Sequence, residues 1–398
     1  MIQCAVCKGK GMCGKICPLL SKMRDYAPKF STNFSGSTPP EIFVGRHNYP
    51  YVNVGILSPM HYGDTEKLSM PERWFQMKLT IPQILSNRSS MVYSRFLSYE
   101  KGAKSQFTKV MQEAALSSKS TAMEFKLKRK PVVNAYVDTR MPLIGNPAPL
   151  QFARFEENVK IDKKVDHITN DTDVKASTAM DELYKAKISI SHMIKLLSAG
   201  LLGTKVKRKL VPTRWAITSV DSNISMKMID SIKYFPPIPG FMLFHSEYLG
   251  NHYEIILMPR QFSFEIIEAK IPGSIWNPGT EIEVMQDYEN WYGRKDYASE
   301  VAGGYYAARL PVAEYLSRNR KQASVLILRE CRPEYYAPCG VGILRETCRD
   351  ALAKRPEVFD DLEGALRKAQ SRMKLPLEIF RNRSKLLAEV KFQRRLDI

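Results

Sequence analysis

Phe241-Met242-Leu243-Phe244, then Gly250-Asn251, then Tyr253-Glu254-Ile255-Ile256-Leu257 is the stretch that decides the fold. Two short runs of aromatic and branched residues on either side of a Gly-Asn pair read as a strand pair closed by a turn. Phe262 to Ala269 reads as a further strand, and Ala323 to Leu328 as a buried one. Around these strands the period changes. Phe107, Val110, Met111 and Ala114 recur at helical spacing within Lys104 to Ser118, and Met123 to Leu127 alternates like a strand. A long helix is expected from Ser177 to Leu202, ended by Gly203, and another beginning at Asp221 or Ser222. Tyr297 to Arg318 reads as helix with a kink at Pro311, and the chain from Arg345 onward as mostly helix, broken at Pro356 and Pro376. The expected fold class is α+β, a mixed-sheet core with several helices.

Composition narrows the partners. The 398 residues carry 60 Lys and Arg against 41 Asp and Glu, a formal net charge of +19. Such an excess favours a polyanion through counterion release and electrostatic steering, with nucleic acid the first candidate. No apolar stretch is long enough to span a bilayer and Met1-Ile2-Gln3-Cys4 does not begin a signal peptide, so no membrane association and an intracellular location are expected.

The N-terminus carries the sharpest motif. Cys4, Cys7, Cys13 and Cys17 follow the spacing Cys-x2-Cys-x5-Cys-x3-Cys, with Gly9, Gly11 and Gly14 permitting the turns between them. Four thiolates suit a tetrahedral structural zinc, which would organise a segment too poor in apolar residues to fold alone. Cys17-Pro18 also matches the end of ferredoxin motifs, so an iron–sulfur cluster is the alternative, and a redox disulfide a third. The expected organisation is a metal-binding module over 1–30, with the loop Ser31 to Pro40 as boundary. An α+β core over 31–388 follows, with two subdomains dividing near 203–212, then a flexible tail over 389–398.

Several groups are candidates for chemistry. Arg46, His47, His61 and Asp64 lie close together in a Gly/Pro-rich stretch that suits a phosphate or a metal. Lys205, Lys207, Arg208 and Lys209 precede Arg214 and Trp215, which puts positive charge beside an aromatic able to stack on a base. Gly303-Gly304 precede Tyr305, Tyr306 and Arg309, a place for close helix packing or for a nucleotide. Glu254, Glu265, Glu268 and Lys270, with Asp64, form a candidate acidic centre for a nuclease using magnesium or manganese. The Glu-x-Lys pattern behind that last reading is frequent on ordinary exposed strands. At the end, Gln393, Leu396 and Ile398 supply the first half of the short motif that docks repair proteins onto a sliding clamp.

Five runs together resemble the archaeal Nre family of DNA repair proteins over essentially the whole chain. They are the cysteine cluster, Pro39-Pro40-Glu41-Ile42-Phe43-Val44-Gly45-Arg46, Leu210-Val211-Pro212-Thr213-Arg214-Trp215-Ala216-Ile217-Thr218, Ala302-Gly303-Gly304-Tyr305-Tyr306-Ala307-Ala308-Arg309 and the clamp-like terminus. The resemblance implies a cytoplasmic archaeal protein of DNA damage repair, partnered by the sliding clamp PCNA through its C-terminus. It assigns no catalytic mechanism. Binding to DNA, a DNA nuclease activity and an RNA-directed role are the readings to be weighed.

Overall fold

A computed structural model describes residues 17–101, 105–133, 138 and 140–392. Cys4, Cys7 and Cys13, and Gln393, Leu396 and Ile398, lie outside the described residues. The chain divides into two compact units at Ile224/Ser225, with Pro338–Gly342 returning to the first. This division falls inside the helix Thr213–Ile232, beyond the 203–212 stretch where turn-forming and basic residues suggested it.

The first unit is built on a six-stranded sheet. Its strands are β1 (Asn33–Thr38), β2 (Ile42–Val44), β3 (Tyr51–Ser58), β4 (Val92–Tyr99), β5 (Thr121–Leu127) and β6 (Asn146–Phe155), in the order β1-β5-β6-β4-β3-β2. Neighbours are antiparallel except β4 and β6. The expected boundary loop Ser31 to Pro40 therefore contains a strand, because pairing of β1 with β5 satisfies its backbone despite its small residues. Alternation fixes which face is buried: Val52, Val54 and Ile56 on β3 and Phe125 on β5 enter the core. The helix Gln106–Leu116 contributes Val110, Met111 and Ala114 to that core, and Ser105 caps it by accepting the Thr108 amide at 3.1 Å.

The single helix expected over Ser177 to Leu202 is two, Ala176–Lys185 and Ile190–Ser198. Lys187 takes a left-handed φ of 63°, and Ser189 starts the second helix by accepting the His192 amide at 3.1 Å. Gly200, at φ 73°, turns the chain beside Lys209, whose backbone a Cβ there would meet at 2.8 Å. The next helix starts at Thr213 rather than at Asp221 or Ser222, its first turn formed by Trp215 and Ala216 amides donating to the Pro212 carbonyl.

The second unit carries β7 (Phe241–Tyr248), β8 (Asn251–Met258), β9 (Ser263–Lys270), β10 (Glu283–Glu289), β11 (Ser324–Cys331) and β12 (Glu357–Phe359). Their order is β10-β9-β11-β8-β7-β12, antiparallel except for β11 against β9. Leu249 and Gly250 both take positive φ in the β7–β8 turn, as a two-residue hairpin requires. One sheet face packs Leu243, Ile256, Ile267 and Leu328 under the helices Leu362–Gln370, Leu377–Arg381 and Lys385–Phe392. On the helix Gly303–Asn319, Tyr305 meets Phe264 of β9 edge-on at 5.1 Å. Gly304 packs closely at the start of this helix, where a Cβ would lie 3.1 Å from the Val301 side chain. The fold is α+β with two mixed sheets.

Candidate nucleic-acid interface

Residues opposite one another in the register share a sheet face. Tyr51 pairs with Tyr99, Asn53 with Leu97, Gly55 with Arg95 and Leu57 with Tyr93, while Phe43 pairs with Gly55 and Pro147 with Tyr93. The intervening residues Val52, Val54, Ile56 and Val92 form the core. The other face therefore carries aromatic rings, an arginine and an asparagine. At one end it is open: Leu97 is 65% exposed, Tyr51 56% and Tyr99 40%. The Tyr51 and Tyr99 rings lie 5.1 Å apart.

The 205–215 segment joins this end. The Leu210 amide donates to the Glu100 carbonyl at 2.8 Å, which sets Lys209 beside the end of β4. The Lys209 ammonium then lies 3.1 Å from the Glu100 carboxylate and 3.0 Å from the Tyr49 hydroxyl. Trp215, exposed, packs against Tyr49 with centroids 5.3 Å apart. Lys205 and Lys207 are exposed on a single turn of 3-10 helix. Arg208 points inward, donating to the carbonyls of Gly203, Thr169 and Asp171, so it braces the loop.

At the other end the same face deepens into a cavity of about 120 Å³ lined by Phe43, Arg46, Asn53, Tyr93, Arg95 and Arg214, among others. The Val44 amide donates to the Thr213 hydroxyl at 3.0 Å, which ties the Phe43-to-Arg46 run to the Pro212-to-Arg214 run. Arg214 is held by Asp138 at 2.9 Å. The Arg46 Nε and the Tyr93 hydroxyl are buried without a hydrogen-bond partner among the described residues. Burial pushes the Tyr93 phenol above its ordinary range, against the pull of the nearby Arg95 charge. Two distant stretches of sequence thus build one cationic pocket. Tyr51, Asn53, Tyr93, Arg95, Tyr99 and Asp138 were absent from the candidate set, although valines at alternate positions of β3 already marked the remaining positions as outward.

The other candidates lie elsewhere. Asp64 is exposed in a loop of the first unit. In the second unit β11 separates β8 from β9. Glu254 lies opposite Leu328, and Glu268 opposite Arg329, so these two carboxylates project from opposite faces. Glu254 is fully buried and accepts from His245 at 3.2 Å, His252 at 3.0 Å and both ends of the Arg372 guanidinium at 2.9 and 2.8 Å. Burial alone would raise its pKa, but these donors override it and hold the carboxyl at about 2. His245, His252 and Glu254 offer ligand atoms within 4.8 Å of one another, yet Arg372 already neutralises the carboxylate. Glu265 accepts from the Lys385 amide at 2.8 Å, the Leu386 amide at 3.2 Å, Gln286 at 2.6 Å and the Ser384 hydroxyl, capping the last described helix. Glu268 pairs with the buried Arg329 and sits 3.9 Å from Lys270. Glu254, Glu265 and Glu268 form no single acidic centre, because each is committed to a different partner.

Tyr305, Tyr306 and Arg309 are also placed differently from a nucleotide platform. All three are buried, and Arg309 pairs with Glu289 at 3.0 Å. Helix packing accounts for the small residues beside them. Cys17 is partly exposed, in no disulfide among the described residues, just before the helix Pro18–Tyr26. Cys331, Cys339 and Cys348 are buried; burial pushes the thiols of Cys331 and Cys339 up to about 11 and about 12.

Among the described residues, no helix is long and apolar enough to cross a membrane. Residues 12–277 match the family model described as Archaeal Nre, N-terminal, and residues 289–398 that described as Archaeal Nre, C-terminal. Two relatives come from Archaeoglobus fulgidus. One, named DNA repair protein NreA, is 39% identical over 94% of both chains, and the other, DNA repair protein NreB, 37% over 92% of both. A Haloferax volcanii protein named DNA repair protein NreA is 33% identical over 89% of this chain and 86% of its own. No solved structure matches. The runs that build the cationic pocket lie within the first matched region, and the two regions together span nearly the whole sequence: the chain belongs to the archaeal Nre family.

Proposed function

We propose that this chain is a DNA repair factor that binds single-stranded nucleic acid across the outer face of its first sheet and engages the PCNA sliding clamp through its C-terminal tail. The observation that carries the reading is the face itself: exposed Tyr51, Tyr99 and Trp215 beside Lys209 at one end, and a pocket of arginines at the other. Aromatic rings stack on bases of any sequence while cations follow the backbone, each stacked base contributing about 1–3 kcal/mol. The net charge of +19 and the names of the two Archaeoglobus fulgidus relatives, both DNA repair proteins, support the same reading. Binding is favoured over cleavage because Glu254, Glu265 and Glu268 are already engaged by Arg372, a helix N-terminus and Arg329.

Fluorescence anisotropy with a labelled single strand tests it. Affinity should fall steeply with salt, and Tyr51→Ala with Tyr99→Ala should weaken it roughly tenfold or more. Affinity indifferent to both salt and the double substitution would refute the interface. Competition with RNA of the same sequence decides between the polymers.

For the tail, Gln393, Leu396 and Ile398 supply the clamp-docking side chains. Deleting residues 393–398 should abolish co-elution with the clamp and leave DNA affinity unchanged. At the other terminus, Cys4, Cys7, Cys13 and Cys17 hold one structural zinc that leaves no open position for chemistry. Elemental analysis should return one zinc per chain, and iron in its place would mean a cluster.

A further inference from the structure

The pocket at the closed end of the sheet face holds more positive charge than its own residues neutralise. Arg46, Arg95 and Arg214 face a single carboxylate, Asp138, which is 5% exposed and bound to Arg214. Among the described residues Arg46 and Arg95 have no hydrogen-bonded or ion-paired side chain. Tyr93, 4% exposed, lines the same cavity, and its hydroxyl is buried with no hydrogen-bond partner among the described residues. A buried phenol left unbonded normally costs stability, and so do guanidiniums gathered without an anion. An oxyanion with several acceptor oxygens satisfies all of them at once, and the planar forks of arginine suit phosphate geometry. Beside these groups and the polar side chains of His47 and Asn53, the wall is apolar, formed by Phe43, Met141, Ile144 and Pro147. Its volume of about 120 Å³ approaches the roughly 150 Å³ of an apolar cavity that admits one benzene ring. There is room for one ring-sized group beside the charged end and no more.

We propose that this pocket is a phosphomonoester site for a nucleotide: Arg46, Arg95 and the Tyr93 hydroxyl bind the phosphate, and the apolar wall holds the sugar ring that carries it, leaving the base outside. Arg214, kept in place by Asp138, supplies the third cation. The phosphate comes either from the phosphorylated end of a strand lying on the sheet face, which rests on the proposed function above, or from a free mononucleotide. A terminal phosphate carries more charge than an internal diester, so the pocket distinguishes a strand end from its interior.

Two measurements on the full chain test this. Calorimetry compares deoxyadenosine monophosphate with deoxyadenosine, and anisotropy compares one oligonucleotide bearing a 5′-phosphate, a 3′-phosphate or neither. The monophosphate should bind roughly tenfold tighter than the nucleoside. Arg95→Gln should remove that difference, and Tyr93→Phe should reduce it several-fold while leaving the melting temperature unchanged or higher. Preference for one phosphorylated end identifies the strand as the source; monophosphate binding with no preference among strands identifies the free nucleotide. Equal binding of monophosphate and nucleoside together with equal binding of all three oligonucleotides overturns the proposal, as does monophosphate binding unaffected by Arg95→Gln. An unphosphorylated strand that fails to bind while the monophosphate binds overturns the strand-binding function alone.

Discussion

The Arg214 guanidinium donates to the Asp138 carboxylate at 2.9 Å, and Asp138 in turn accepts the Arg140 amide at 2.9 Å. A buried acid is thereby made to hold one member of a cationic pocket in place while taking away part of its charge. Asp138→Asn keeps the acceptor oxygen and removes the charge. Anion binding should tighten several-fold, and stability should fall by about 1–3 kcal/mol as a charge-assisted hydrogen bond is weakened. Titration with inorganic phosphate and denaturant unfolding measure the two effects.

Glu268 and Arg329 form a pair buried on both sides. Glu268→Ala leaves an uncompensated guanidinium in the sheet and should cost about 3–5 kcal/mol. The loss is one of folding, read by urea denaturation, and a variant of wild-type stability would show that the pair is not what holds Arg329.

Glu265 ties the start of the helix Lys385–Phe392 to β9 through two backbone amides and Ser384. Burial raises its pKa, with those donors and Gln286 opposing the shift. Removing the carboxylate orphans several buried donors, so Glu265→Ala should destabilise by about 2–4 kcal/mol. Hydrogen exchange should show the loss first in 385–392.

His192 is buried against the Ala115 carbonyl at 2.9 Å, and its pKa is lowered to about 4, by burial first and the Lys195 charge second. A base with a depressed folded pKa leaves the unfolded chain binding the extra proton. Stability is complete above the unfolded value of about 6.5 and falls as pH drops from there to about 4, by about 3 kcal/mol in all. Unfolding free energies at neutral and acidic pH measure the slope, which His192→Gln should flatten.

Much of the second sheet was legible because its strands announce themselves locally. Gly250 between two apolar runs gives the β7–β8 hairpin, and Ala323 to Leu328 is buried throughout, with Leu326 and Leu328 packed under the helices that follow Leu362. The insertion of β11 between β8 and β9 was not legible, since a parallel pairing across the helix Gly303–Asn319 leaves no local signature. That insertion is what separates Glu254 from Glu268. In the first sheet, Arg46, Arg214 and Trp215 were legible as single residues in basic or loop settings. Their meeting with Tyr93 and Arg95 depends on the order β4-β3-β2 and on one bond from Val44 to Thr213, contacts between positions remote in sequence. Tyr305 and Arg309 misled for the converse reason: an aromatic and a cation beside glycines look alike whether they bind a nucleotide or bury a helix.

Pro338–Gly342 return to the first unit after five of the six strands of the second sheet, pairing Cys339 with Pro142 and bringing the Val341 amide to the Arg140 carbonyl. The loop that carries Asp138 and Arg140 is thus fastened by residues translated long after the rest of its own unit. No single cut separates the units intact, so neither can be inherited, shuffled or expressed as a complete half. The segment beside the arginine pocket is fastened only after most of the second sheet has been made.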